Sequence, residues 1–255
     1  MCGVIGIFGK DASCFVDTIK TGIKALKHRG PDSEGFYQSD DGFCLLGHTR
    51  LSILDMSKEA WQPMQLGESF LVYNGEIYNH LQLRNQLKTV KWKTHCDTAT
   101  IGELIREKGS EGLKDISGMY AGALYNSLEK KLMLFRDPLG IKPLYWCWIQ
   151  KNLLAFCSEI YPLLMLLESS GKHSLSVSKQ SLASYMTFEN IPIDQVVFQG
   201  INPLGLGTTM SWDMDTNQTK SYSIERNIKK THLPENLEQR ISLFREMVES
   251  SIEGH

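Results

Sequence analysis

Apolar residues recur along this chain with two periods, and the places where the period changes predict its strands and helices. Val4-Ile5-Gly6-Ile7-Phe8 is a short apolar run rich in β-branched residues, which predicts a buried strand. From Cys14 to Leu26 the positions Phe15, Val16, Ile19, Ile23 and Leu26 fall at helical spacing and predict an amphipathic helix over a sheet. Phe43 to Leu54 reads as strand material interrupted at Gly47-His48-Thr49-Arg50. Phe70 to Tyr73 is a further strand, predicted to stop at Asn74-Gly75-Glu76, with helix over Ile77 to Leu87 and again over Thr98 to Lys108. The middle is strand-rich, with Met119 to Tyr125, Leu132 to Phe135, Leu144 to Trp148 and Leu153 to Phe156. Short helices are predicted at Tyr161 to Leu167 and Ser181 to Phe188, late strands at Val196 to Phe198 and Thr208 to Trp212. After Asp213 the chain turns polar, and a helix from Leu237 to Ile252 closes it.

Composition adds mostly exclusions. With 255 residues, 42% hydrophobic and 22% charged, the chain has enough apolar material for one large core or two smaller ones. Its net charge is −2 and its Lys and Arg are scattered, so neither nucleic acid nor an anionic membrane is expected as partner. The longest apolar runs are too short to span a bilayer or to serve as a signal segment, so a cytoplasmic location is expected. Six widely spaced cysteines form no C-x-x-C pair, which argues against a metal site or a disulfide framework. There is no G-x-G-x-x-G and no G-x-x-x-x-G-K-S/T phosphate loop.

Cys2, directly behind the initiator methionine, is the first candidate for chemistry. Methionine is usually trimmed before a small side chain, and Cys2 would then carry a thiol of pKa roughly 8.5 beside a free α-amine of about 8, a nucleophile with its own base. The bland alternative is a small residue in a frayed terminus. In His28-Arg29-Gly30-Pro31-Asp32-Ser33 the Gly-Pro forces a turn, which suits either a plain polar loop or a lid over substrate. Arg50, lodged among residues that look buried, needs a partner: an internal carboxylate, or a ligand carboxylate gripped by its planar fork. Asn74-Gly75 is either a hairpin turn or a pair of donors aimed at one spot, as an oxyanion hole requires. Asp97 is read first as a helix N-cap. Arg136-Asp137-Pro138-Leu139-Gly140-Ile141-Lys142-Pro143-Leu144-Tyr145 is a defined loop, too apolar for a linker.

These stretches also carry a resemblance. Cys2-Gly3-Val4-Ile5-Gly6, His28 to Asp32, Arg50-Leu51-Ser52-Ile53, Gln62-Pro63-Met64, Tyr73-Asn74-Gly75-Glu76-Ile77-Tyr78-Asn79 and Arg136 to Tyr145 occur in the order found in the glutaminase domain of glutamine-dependent asparagine synthetase. The chain resembles that family from about Cys2 to Met210. The resemblance implies an α+β fold of N-terminal-nucleophile hydrolase type, four layers α/β/β/α with two stacked antiparallel sheets. It implies that Cys2 attacks the side-chain amide of glutamine while Asn74 and Gly75 hold the oxyanion. Arg50 would take the α-carboxylate, Asp97 and Glu76 the α-ammonium, and Ile53 would line the substrate site. The His28 to Asp32 loop would close over bound glutamine.

Three departures from the family pattern stand out: Cys96-Asp97-Thr98-Ala99 for Ser-Asp-Thr-Glu, Gly122 for a strand Phe, and Leu204-Gly205-Leu206-Gly207 for a proline-rich turn. Residues 1–213 are expected to form the glutaminase domain, and residues 214–255 a linker and the first helix of a synthetase domain absent from the sequence. ATP and Mg²⁺ are expected only in that domain, with no cofactor in this chain, so glutamine hydrolysis without asparagine formation is expected. The ammonia would serve that domain or a separate synthetase chain, and a second copy of the chain, as a homodimer, is the other partner considered. Two other readings remain at this stage: a non-catalytic binding or regulatory relic of the fold, and an N-terminal-nucleophile hydrolase for another amide.

Overall fold

The computed structural model describes residues 1–52, 55–171, 176–224 and 233–253. Its twelve strands among those residues are β1 (Gly3–Gly9), β2 (Ser33–Gln38), β3 (Cys44–Arg50), β4 (Met64–Leu66), β5 (Ser69–Ile77), β6 (Gly118–Asn126), β7 (Lys131–Arg136), β8 (Tyr145–Gln150), β9 (Leu153–Cys157), β10 (Ile201–Pro203), β11 (Thr208–Asp213) and β12 (Gln218–Ser223). The helices are α1 (Val16–Ala25), α2 (His80–Arg84), α3 (Asp97–Lys108), α4 (Ile160–Ser169), α5 (Lys179–Phe188) and α6 (Leu237–Glu253). The strands form two antiparallel sheets of six, in the orders β10-β8-β9-β1-β3-β2 and β12-β11-β7-β6-β5-β4.

Alternation along the strands builds the layers. On β1, Ile5 and Ile7 join Ile19 and Ile23 of α1 and Leu163 and Leu166 of α4 in one core. Val4 and Phe8 point the other way and meet Val72, Tyr125, Leu134 and Trp212 of the second sheet. Leu71 and Tyr73 on the far face of β5 pack with Ile101, Leu104 and Ile105 of α3. The result is the expected four-layer α/β/β/α arrangement. Phe8 sits between Tyr125 and Trp212, ring centroids 5.5 and 5.0 Å away, and its truncation to Ala would cost about 3–5 kcal/mol.

The same alternation places the candidate chemistry. Gly3 pairs with Thr49, so Cys2 falls level with Arg50 at the end of β3. Cys2 shares the parity of Val4, and Asn74 that of Val72, so both face the gap between the sheets.

Several elements differ from the periodicity reading. β3 runs unbroken through Gly47-His48-Thr49-Arg50, because β1 and β2 supply ladder partners on both sides. β5 likewise continues through Asn74-Gly75, paired in register with β6 as far as Ile77 opposite Gly118. Gly75 therefore makes no turn. It is glycine because a Cβ there would lie 2.4 Å from Met119 O. The helix foreseen over Ile77 to Leu87 shrinks to α2, whose first residue is His80. Val196 to Phe198 contributes one bridge, Val177 to Phe198, in place of a strand. Beyond Asp213 the polar stretch folds back as β12, in register with β11 from Asp213 opposite Gln218 to Thr208 opposite Ser223. All six β12 residues are exposed, so no apolar pattern announced it. No side chain of α6 is buried.

Candidate active site

Six of the seven residues singled out in the sequence line a single cleft of about 220 Å³: Cys2, Arg50, Asn74, Gly75, Glu76 and Asp97. The seventh, Ile53, lies outside the described residues. The volume is below the ~300–1,000 Å³ typical of drug-sized ligands and suits a molecule the size of a free amino acid. Met1 also lines the cleft, so its removal would widen the opening at Cys2.

Cys2 is held from three sides. Its backbone N–H donates to Asn74 Oδ1 at 3.0 Å, its carbonyl accepts from Arg29 Nε at 3.1 Å, and its Sγ lies 3.8 Å from Leu51 O. Burial pushes the thiol above its ordinary pKa, while the Leu51 backbone, the positive chain terminus and Arg50 pull it down. With Oδ1 engaged, Asn74 presents Nδ2, which is buried and has no hydrogen-bond partner. An orphaned buried donor costs about 1–3 kcal/mol, so its retention points to a ligand that satisfies it.

Arg50 shows the same signature. The residue is 6% exposed, its Nη2 donates to the carbonyl of Asp55, and its Nη1 is buried without a partner. Among the described residues no carboxylate pairs with it. Asp55 is itself fixed, accepting from the Thr94 hydroxyl, from Ser57 N and from His95 N, which hold its carboxyl well below the usual range.

Asp97 is the first residue of α3 and is 5% exposed. It does not cap the helix. Its Oδ2 accepts from Tyr73 OH at 2.9 Å and Ile77 N at 3.0 Å, and burial raises its pKa against those bonds. Arg84 secures the approach to Asp97, donating to Thr94 O, Cys96 O and Thr100 Oγ1 with its guanidinium over Trp92.

The His28 to Asp32 segment is docked against the structure. Arg29 bonds Glu159 at 2.9 Å as well as Cys2 O, Asp32 N donates to Arg50 O, and Asp32 Oδ2 accepts from Ser52 N. A Cβ on Gly30 would come within 2.4 Å of Arg50 N, so glycine is needed for this approach. The segment braces Cys2 and Arg50.

Four cleft or supporting residues carry no role of their own in the sequence: Gln62, Tyr73, His48 and Lys142. Gln62 accepts from Tyr73 N at 2.6 Å, and His48 Nε2 donates to Tyr73 O at 3.1 Å. Gln62 and His48 carried a signal in the sequence as polar residues set among apolar ones. Among the described residues no group of three or more His, Cys, Asp or Glu is placed to hold a metal ion, and no helix is long and apolar enough to cross a membrane.

Residues 1–223 match the family model described as glutamine amidotransferase domain. The chain is 31% identical over 242 residues to the putative glutamine-hydrolysing asparagine synthetase 2 of Methanocaldococcus jannaschii, covering 87% of this chain and 46% of that one. It is 28% identical to glutamine-hydrolysing asparagine synthetase 1 of Bacillus subtilis, over all of this chain and 40% of that one. With the glutamine-hydrolysing asparagine synthetase B of Escherichia coli the identity is 39%, over 63% and 29% respectively. The chain thus spans less than half the length of these relatives. Glutamine phosphoribosylpyrophosphate amidotransferase from B. subtilis superimposes with a TM-score of 0.64 at 19% identity, over 89% of this chain and 50% of that one, which shows the shared N-terminal-nucleophile fold. By the family match over residues 1–223, the chain belongs to the glutamine amidotransferase domain family.

Proposed function

We propose that this chain hydrolyses glutamine to glutamate and ammonia, with Cys2 as the N-terminal nucleophile once Met1 is removed. The observation that carries the reading is the pair of buried, unpartnered donors, Asn74 Nδ2 and Arg50 Nη1, on the walls of the cleft that holds Cys2. A free amino acid offers a carboxylate for Arg50 and an ammonium for Asp97 and Glu76, which leaves its side chain directed toward Cys2.

In this mechanism the α-amine of Cys2 takes the thiol proton as sulfur adds to the amide carbon. Asn74 Nδ2 and the Gly75 N–H stabilise the oxyanion, and the proton passes to the departing nitrogen. Ammonia leaves a γ-glutamyl thioester. Water, deprotonated by the same amine, adds to the thioester and returns the thiol. No step calls for a cofactor.

The relatives are named as asparagine synthetases, which makes amidation of aspartate the leading destination for the ammonia. On this reading residues 214–255 lead toward an ATP- and Mg²⁺-dependent synthetase domain or a separate chain. β12 belongs with the amidotransferase sheet, and α6 presents Ile241, Phe244, Val248 and Ile252 to that partner or to a second copy. The reading places the enzyme in the cytoplasm. Assaying glutamate release from glutamine and from a panel of other amides tests it: hydrolysis of glutamine alone supports it, and preference for another amide or none overturns it.

A further inference from the structure

Lys142 stands on the wall of the Cys2 cleft with no role in the mechanism above. Its loop is tightly specified. The Asp137 carboxylate accepts from the N–H groups of Leu139, Ile141 and Lys142 at 3.0 Å each and from Tyr120 N at 3.3 Å. Arg136 donates to the carbonyls of Lys142 and Gly140, both at 2.9 Å, and of Leu204 at 2.7 Å. The backbone is thereby fixed, and Lys142 is only 7% exposed. Among the described residues its Nζ forms no ion pair. A lysine this buried is uncommon unless a charge answers it.

The charges around it narrow the choice. Facing Cys2 and Lys142 are the cations Arg29 and Arg50 with the chain's α-amine, the anions Glu76, Asp97 and Asp137, and the neutral Tyr73 hydroxyl. Arg50 answers a substrate carboxylate, and Glu76 and Asp97 answer its ammonium. Lys142 is the cation that the substrate does not call on. Beside it lie Glu76 and Asp137, the latter with oxygens that already accept from four backbone N–H groups, and the further negative charge at this wall of the cleft is the one that forms on sulfur when Cys2 ionises. We propose that Lys142 is a positioning residue that acts through Cys2: its ammonium stabilises the thiolate and lowers the pH at which Cys2 becomes nucleophilic. The proposal rests on Cys2 as nucleophile. Burial and Arg29 weaken the hold of Lys142 on its proton, while Asp137, Cys2 and Glu76 strengthen it.

The test is the rate of Cys2 alkylation by iodoacetamide as a function of pH, without glutamine, in a Cys14→Ser background because Cys14 is exposed. Peptide mass spectrometry reads the Cys2 adduct. Lys142→Met is expected to raise the alkylation midpoint by about one pH unit, roughly a tenfold slower reaction at a fixed pH below it. Lys142→Arg should stay within a few tenths of a unit. Thermal melts check both, and Lys142→Gln replaces the methionine variant should that fail to fold. An unchanged midpoint on loss of charge overturns the proposal, and so does a shift in Lys142→Arg as large as in Lys142→Met. Because no glutamine is present, the shift is read whether or not the protein hydrolyses glutamine, so failure of the glutaminase reading is recognised separately.

Discussion

The backbone N–H of Cys2 donates to Asn74 Oδ1 at 3.0 Å, and this bond fixes which end of the Asn74 amide meets the cleft. One side chain thus holds Cys2 in place and presents Nδ2 as a free donor beside it. Removing it as Asn74→Ala is expected to lower turnover by about 10²–10³. Asn74→Asp keeps the acceptor for Cys2 N–H and puts a carboxylate where the donor was, so it should lose at least as much turnover with little change in fold. Steady-state kinetics with a thermal melt for each variant is the check. Near-normal turnover in both would reduce Asn74 to a strand residue.

Arg50 offers a fork with one arm tied to the Asp55 carbonyl and the other arm open. Lysine keeps the charge and loses the fork. Arg50→Lys should weaken glutamine by about 1–3 kcal/mol, read as a roughly 5- to 150-fold rise in KM with a smaller change in kcat. An unchanged KM would mean that the open Nη1 does not meet substrate.

His48 gives the protein a pH dependence of stability. Burial pushes its pKa down to about 3, against the bond to Tyr73 O and with help from Arg50. The folded protein keeps this ring neutral, whereas the unfolded chain protonates it near pH 6.5. Unfolding therefore takes up a proton between those values. Stability from this group is present above about pH 6.5 and falls as pH drops toward about 3, by roughly 3–5 kcal/mol over the window. Denaturant titrations at a series of pH values should show the loss in the wild type and a flatter curve in His48→Gln. Parallel curves would assign the acid sensitivity to other groups.

How far the sequence could be read follows from what the backbone partners supply. β1, α1 and α3 are legible because their own apolar spacing matches the face they bury. β5 was cut short at Asn74-Gly75 because turn residues are judged locally, while nine residues of β6 across the ladder hold the strand straight. β12 was invisible because an exposed edge strand needs no apolar face, and Asn217, at φ 52°, makes its turn. Within the site, Arg50 stands out in the sequence as a charge among residues that look buried and Cys2 by its place behind Met1, whereas the site roles expected of Asn74 and Asp97 come from the family resemblance. Asp97 was read first as a cap because sequence places it at a helix start without showing that Tyr73 and Ile77 would take its oxygen. Lys142 stayed hidden because only the folded loop, gathered around Asp137, carries it to Cys2.

Glutamine hydrolysis by the proposed route requires Cys2 to be the N-terminal residue. The most direct measurement is glutamate release from glutamine by protein whose intact mass shows Met1 removed, beside protein retaining Met1 and the Cys2→Ala variant. Glutamate and ammonia in equal amounts from the first, and none above background from the other two, is the predicted result. Comparable glutamate release from Cys2→Ala, or from protein that still carries Met1, would contradict it.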